Sequence, residues 1–375
     1  MAITLLHTAD WQIGRRFGGF PADRAPILQR ARLEVIDRLA DAARKAGAAH
    51  VLVAGDVIDS ETAPDAIVAP LLAKLASHAP LIWHLLPGNH DPARPGGIWA
   101  TVRRLAPADN IRLHLEPVAC EIAPGVMLLP APLSQKSSAL DPTAWMDSFA
   151  SPSGSIRIGL AHGSVQGNFG GEGDAATTID PDRPRRAGLA YLALGDWHGQ
   201  MRISDRLWYS GTPEPDRFKD NNSGRALIVR LDEASAPPQI ESIETAQFTW
   251  IRRRLTLDDA HGLEGLAREI ERAGPAASRW LLELRLSGRV ALAAEALITQ
   301  RLARFEASLF HLETDRDQLA IHASADSLAG LGAPALQTVA ARLAARDDGS
   351  DTAAARAARL ALRRLVEFAA GEATR

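Results

Sequence analysis

Five short apolar runs in the first 200 residues each end in a side chain that can bind a metal ion. They run from Ile3 to Asp10, His50 to Asp56, Leu81 to His90, Ile156 to His162 and Tyr191 to His198. Runs of this length closed by Gly or Asp read as buried strands. In open α/β sheets, ligands gather beyond the carboxyl ends of the strands. Five such strands would bring Asp10, Asp56, Asn89 with His90, His162, and Asp196 with His198 to one edge. That mixture of carboxylate, amide and imidazole suits a pair of divalent cations. A single Asp at a strand end is more often a turn or helix cap than a ligand. Five in order are hard to explain by packing alone.

The elements that must position these residues follow from the apolar spacing. Ile27 to Ala46 has helical periodicity, with Gly47 as its C-cap. Pro64 to His78 reads as a second helix with Pro80 just past it, and Ile98 to Leu105 as a short third. Val118 to Ile122 and Val126 to Pro130 read as strands around a Pro-Gly turn. Gln166 to Pro184 is a Gly-rich acidic loop. Trp208 to Ser210, Arg225 to Leu231 and Gln239 to Glu244 read as further strands. From about Phe248 a strand (Trp250 to Leu255), a helix (Asp258 to Ala273), a strand (Trp280 to Leu286) and a helix (Ala291 to Phe305) form a second unit. Leu328 to Pro334 reads as a linker. Gln337 to Ala370 reads as Ala-, Leu- and Arg-rich helix broken at Asp347 to Ser350. The expected boundaries are 1–245, 246–330 and 331–375.

Composition narrows the setting. The chain has 375 residues, 46% apolar and 23% charged, with a formal net charge of −3. It has core enough for more than one domain. A nucleic-acid partner would need a local basic surface rather than a basic protein. Cys120 is the only cysteine, so an intrachain disulfide and a multi-thiolate zinc site are excluded. No apolar run is long enough to span a bilayer. Asp10 comes too early for a signal peptide to precede it, and a cytoplasmic location without membrane attachment is expected.

The five motifs resemble, in order and spacing, those of the calcineurin-like metallophosphoesterases. They are Asp10-Trp-Gln12, Gly55-Asp-Val-Ile-Asp59, Gly88-Asn-His-Asp91, Ala161-His-Gly163 and Gly195-Asp-Trp-His198. Within that superfamily the chain most resembles the SbcD-type DNA repair exonucleases. His7-Thr-Ala-Asp-Trp11, Trp208-Tyr-Ser-Gly-Thr-Pro-Glu214 and the small α/β unit carry that likeness. The resemblance implies an α/β fold: a β-sandwich flanked by helices, a small α/β capping domain and C-terminal helices. It also implies a dimer and a partner ATPase of the SbcC-like, chromosome-maintenance type. The C-terminal Ala/Leu/Arg helix would then dock that partner, or else pack on its own domain.

The resemblance assigns roles as well. Asp56 would bridge two cations. Asp10, Gln12 and His198 would complete one position, and Asn89, His162 and Asp196 the other. His90 would stand beside the scissile phosphate as stabiliser or general acid, with Asp91 orienting it and Asp59 supporting. Two cations lower the pKa of a water between them and neutralise the departing oxygen. The chain departs from the family pattern at Gln12 and Asp196, where His is usual. Harder oxygen donors favour Mn²⁺, with Mg²⁺ or Fe²⁺ as alternatives, over Zn²⁺. Either Gln12 ligates, or the first position is weak or empty.

Basic clusters occur at Arg15-Arg16, Arg183-Pro-Arg185-Arg186 and Arg252 to Arg254. Arg15, Arg16, Arg185 and Arg186 are the candidate contacts to nucleic-acid phosphates, against the alternative of solvated faces. Trp11 and Trp197 adjoin ligands and read as packing rather than base stacking. Three functions remain open at this point: a DNA exo- or endonuclease, a small-molecule phosphodiesterase or phosphatase, and a non-catalytic subunit with a drifted site.

Overall fold

A computed structural model of the chain describes residues 2–167, 177–322, 333–347 and 352–372, with side chains to 365 in the last stretch. The expected linker at 328–334, the helix break at 347–350 and the acidic part of the 166–184 loop lie largely outside these residues. The chain divides into two compact units: Met1–Asp216 with Asn221–Gln247, and Arg217–Asp220 with Phe248–Arg375.

The first unit opens with β1 (Ile3–Thr8), α1 (Ala25–Lys45), β2 (His50–Val53), α2 (Asp65–Ala76), β3 (Ile82–Leu85), α3 (Ile98–Arg104) and β4 (Ile111–Leu113). It continues with β5 (Cys120–Ala123), β6 (Val126–Ala131), β7 (Ile156–His162), β8 (Ser164–Val165), β9 (Thr178–Ile179) and the single turn α4 (Arg183–Arg186). β10 (Tyr191–Gly195), β11 (Met201–Ser204), β12 (Leu207–Tyr209), β13 (Arg225–Leu231) and β14 (Gln239–Glu244) complete it. Two six-stranded sheets result, ordered β14-β13-β1-β2-β3-β4 and β11-β12-β10-β7-β6-β5. They form the helix-flanked sandwich implied by the resemblance.

Period-two alternation sorts the side chains into layers. Leu5, Leu52 and Val229 of the first sheet meet Leu128, Ile158, Leu160, Tyr191 and Ala193 of the second in one apolar core. Leu6, Val51 and Val53 face the other way, onto α1, α2 and α3. Each fully buried Leu or Val contributes about 1.5–3 kcal/mol. The layers therefore fix which edge of each sheet the following loops leave from. β1, β2 and β3 run parallel, as do β6, β7 and β10. Their carboxyl ends carry the five motif loops.

His7, His50, His78 and His84 serve the scaffold. His7 is buried between Tyr191 Oη at 2.8 Å and the Leu194 carbonyl at 3.1 Å. His50 of β2, His84 of β3 and His114 just past β4 form a ring ladder, with N···N contacts of 3.0 and 2.9 Å. His78 pairs with Asp37 at 2.8 Å.

The second unit contains β15 (Thr249–Leu257), α5 (Glu264–Ala273), β16 (Trp280–Ala291), α6 (Leu292–Ser308), β17 (His311–His322), α7 (Pro334–Arg346) and α8 (Ala353–Glu372). Its sheet is parallel, in the order β15-β16-β17. β17 is absent from the sequence reading, because Glu313, Asp315, Arg316 and Asp317 break the apolar alternation that marks a half-buried strand. Only Leu319, Ala320 and Ile321 near its end are buried.

The C-terminal helices belong to this unit. Leu292 and Ile321 pack with Ala340 of α7 and Leu362 of α8. Buried Glu295 accepts from Arg316 at 3.0 Å and from Arg363 of α8 at 2.8 Å. One face of α8 is therefore packed on its own unit, while Leu360 on the same helix is 52% exposed. Arg252 and Arg254 share the exposed face of β15, as alternation requires, but Arg252 is paired to Glu283 through two contacts.

Candidate metal centre

The loops after β1 and β2 run together as a backbone ladder. Asp10 N donates to the Gly55 carbonyl at 3.1 Å, Gln12 N to Asp56 at 2.8 Å and Ile13 N to Val57 at 3.0 Å. Asp10, Gln12, Asp56 and Asp196 all have positive φ, at 55°, 43°, 52° and 107°. Non-glycine residues rarely adopt that conformation, and where it clusters it marks sites held by surrounding structure. Here it turns three carboxylates toward one point.

Behind this loop stands Arg32, buried on α1. It donates to the carbonyls of Asp10 at 2.9 Å, Trp11 at 2.7 Å and Glu214 at 2.8 Å. Thr212 Oγ1 also donates to the Asp10 carbonyl, at 2.9 Å. The Trp208 to Glu214 run is thus a buttress for the Asp10 loop. Trp11 is 1% exposed and packs edge-on against Trp83. It is core, as expected, and Trp197 packs partly buried against the cluster around β10 and β12.

The side chains converge. Asp10, Asp56 and His162 each offer a ligand atom within 4.8 Å of the others. His162 Nε2 lies 2.9 Å from Asn89 Oδ1, 3.5 Å from Asp56 Oδ1 and 3.9 Å from Asp196 Oδ1. Its Nδ1 donates to the Ala54 carbonyl at 2.8 Å, which aims Nε2 inward. Asp196 N donates to Asp10 Oδ1 at 3.1 Å. Gln12 Nε2 is 3.4 Å from Asp56 Oδ2 and 3.5 Å from His198 Nε2. All seven candidate ligands, Asp10, Gln12, Asp56, Asn89, His162, Asp196 and His198, are in this network.

His90 stands at the mouth. Its side chain is 40% exposed, with Nε2 3.9 Å from Asp56 Oδ2. Its Nδ1 donates to the carbonyl of Asp59 at 3.0 Å. This corrects the role expected for Asp91. The buried Asp91 carboxylate instead accepts from Gly88 N at 2.7 Å and Ile58 N at 2.9 Å, so it shapes the loop while Asp59 orients His90.

Three supporting residues escaped the sequence reading. Asp216 lies 3.2 Å from His198 Nδ1 and 3.2 Å from Arg15 Nη2. Ser164 Oγ donates to Asp196 Oδ2 at 2.7 Å. Arg32 is the third. Asp216 sits two residues past Glu214 with no motif of its own, and Arg32 is one of many arginines on an amphipathic helix.

The basic candidates are largely engaged. Arg15 pairs with Asp216 and approaches Asp59 at 3.7 Å. Arg185 pairs with Asp182, and Arg186 with Asp147 and Asp180. Arg183 is buried between Asp141 and Asp147. Arg16 is exposed.

Residues 3–178 match the family of calcineurin-like phosphoesterases. The chain carries a calcineurin-like phosphoesterase domain. The matched span holds Asp10, Asp56, Asn89, His90 and His162, while Asp196 and His198 lie beyond it. No curated protein matches the chain. Among solved structures, one described as TT1561 of Thermus thermophilus aligns at 11% identity and a TM-score of 0.41. That alignment covers 65% of this chain and 100% of the other. A second aligns at 9% identity with the same TM-score and coverage.

The family match over residues 3–178 supports metal-dependent phosphoester hydrolysis, and the donor set fits divalent cations. Asp10, Asp56 and His162 meet closely, Asn89 and Asp196 stand against His162 Nε2, and His198 reaches the cluster beside Gln12. Burial pushes Asp10 up to about 6, against the pull of His198 and His162. Burial works against a charged His162, yet Asp56, Asp10 and Asp196 outweigh it and hold the ring at about 9. A proton thus occupies the cluster where a cation would bind.

That gives a pH dependence with a definite sign. Below about 9, His162 must lose a proton before Nε2 can ligate. Cation binding at pH 7.5 should therefore expel about one proton, and affinity should tighten roughly tenfold per pH unit up to that limit. Below about 6, the Asp10 proton steepens the slope. Calorimetry in buffers of different ionisation enthalpy counts the protons, and a count of zero would contradict the assignment.

Proposed function

We propose that the chain hydrolyses DNA phosphodiester bonds as an exo- or endonuclease of SbcD type. The observation that carries the phosphodiesterase reading is His90, a half-exposed imidazole fixed beside a buried carboxylate cluster. The DNA assignment draws on the resemblance carried by residues 7–11 and 208–214 and by the second unit. Bound divalent cations would supply the Lewis acidity that activates water and neutralises phosphate charge. Asp56, Asn89, His162 and Asp196 would hold one, and Asp10, Asp56 and His198 would face a second. The oxygen-rich set favours Mn²⁺. Because His90 Nδ1 donates to Asp59, Nε2 faces the substrate. As the imidazolium it donates to the phosphate or to the leaving oxygen.

The reading extends to an SbcC-like ATPase docked through α8, to a homodimer and to a cytoplasmic setting. Exposed Leu360 gives the helix an apolar contact point. Among the described residues no helix is long and apolar enough to cross a membrane.

The test is cleavage of end-labelled linear DNA and of bis(p-nitrophenyl) phosphate with Mn²⁺, for wild type and His90→Ala. Both substrates should be cleaved. The substitution should cut turnover by roughly 10²- to 10⁴-fold while bound metal stays unchanged. A second reading, a small phosphodiester as substrate, is favoured by the ion pairs that engage Arg15, Arg185 and Arg186. Hydrolysis of the small diester alone, with or without an added ATPase partner, would sustain that reading against DNA.

A further inference from the structure

We infer that Gln12 is a fixed hydrogen-bond donor and not a ligand, so that the two cation positions have unequal affinities. This rests on the metal-centre reading and goes beyond it.

The decisive contact is behind the site. Arg15 Nη1 lies 2.8 Å from Gln12 Oε1. A guanidinium only donates, so the amide oxygen must face Arg15. Turning the amide over would set its NH₂ against the guanidinium, donor to donor. The NH₂ therefore faces the site, 3.4 Å from Asp56 Oδ2 and 3.5 Å from His198 Nε2. Gln12 is 1% exposed, and its own backbone N–H is tied to Asp56, so the side chain has little room to turn.

Arg15 is itself held. Asp216 binds it at 3.2 Å and, through its other oxygen, lies 3.2 Å from His198 Nδ1. One carboxylate thus aims both the arginine that locks Gln12 and the histidine that faces the cluster. On that side a donor stands where a cation needs an acceptor, leaving Asp10, Asp56 and His198. On the other side the oxygens of Asn89, Asp56 and Asp196 stand around His162 Nε2, at 2.9, 3.5 and 3.9 Å, with no such donor locked between them. That side binds the first ion tightly. The second ion binds weakly, and joins at high metal concentration or with substrate phosphate.

The test is a Mn²⁺ titration of the full chain by calorimetry and by electron paramagnetic resonance. Wild type should bind one Mn²⁺ with the spectrum of an isolated ion, and a second roughly 10- to 100-fold more weakly. Gln12→His should bring the two affinities together and give an exchange-coupled spectrum at two equivalents. Arg15→Met, which frees the amide to turn, should narrow the gap. Two equally tight ions in wild type, coupled from the first additions, would overturn the inference and leave the metal centre standing. No Mn²⁺ binding at all would overturn the metal centre, and the inference with it. If either variant fails to fold, the wild-type titration still decides.

Discussion

An Asp56→Asn variant is expected to lose phosphoester hydrolysis by at least about 10³-fold, the equivalent of several kcal/mol of charge stabilisation. Asp56 is the residue that both halves of the site share. Its Oδ1 lies 3.5 Å from His162 Nε2 and accepts from His90 N at 2.9 Å, while Oδ2 faces Gln12 and His90. Asparagine keeps the shape and can keep the His90 N–H bond, but it removes the charge. Without metal, Asp56 is a charge partner of the buried His162 ring, so removing its charge should lower the melting temperature of the metal-free protein. What should vanish is the rise in melting temperature on adding Mn²⁺. Thermal melts with and without Mn²⁺, alongside bis(p-nitrophenyl) phosphate hydrolysis, check both signs. Wild-type stabilisation by Mn²⁺ in the variant would mean that Asp56 does not bind the ions.

Gly88→Ala should cripple the site without replacing a candidate ligand. A Cβ at Gly88 would fall 2.2 Å from Asp56 Oδ1 and 2.4 Å from Asp56 N. The backbone nitrogen cannot yield, because this loop is laced to its neighbour through Gln12 N and the Asp56 carbonyl. The loop bearing Asn89, His90 and Asp91 must therefore move away from Asp56. A displacement near 1 Å costs about 10²-fold in turnover. The strain should also cost about 1–3 kcal/mol of stability. In a unit of this size that lowers the melting temperature by roughly 2–4 °C per kcal/mol. Gly18→Ala, where a Cβ meets nothing within 4 Å, is the matched control and should behave as wild type. Normal turnover in Gly88→Ala would show that the close approach of the two loops is not required.

Much of the site was legible because its information is local. Each motif couples a period-two apolar strand to the polar residues just past its end, and parallel strands place those ends on one edge. The apolar runs therefore declared both β1, β2, β3, β7 and β10 and the candidate ligands that follow them. β17 was not legible, because its charged stretch carries no alternation and only pairing with β16 makes it a strand. The fate of α8 was likewise undecided. Its Arg363 reads in sequence as one more surface arginine, and becomes structural only because Glu295 lies buried on α6.

The sequence by itself determined the family of chemistry, the sandwich that supports it and the identities of the groups at its edge. Tertiary structure alone decided how those groups point. Asp59 rather than Asp91 holds His90, Asp216 connects His198 to Arg15, and Arg15 turns Gln12 so that its nitrogen faces the site. The reason is physical. Which atom a side chain presents depends on the donor or acceptor behind it. Asp59 and Asp216 come from another loop or a distant segment brought close by folding, and Arg15, though only three residues from Gln12, is aimed by Asp216, so residue type and spacing do not encode these directions.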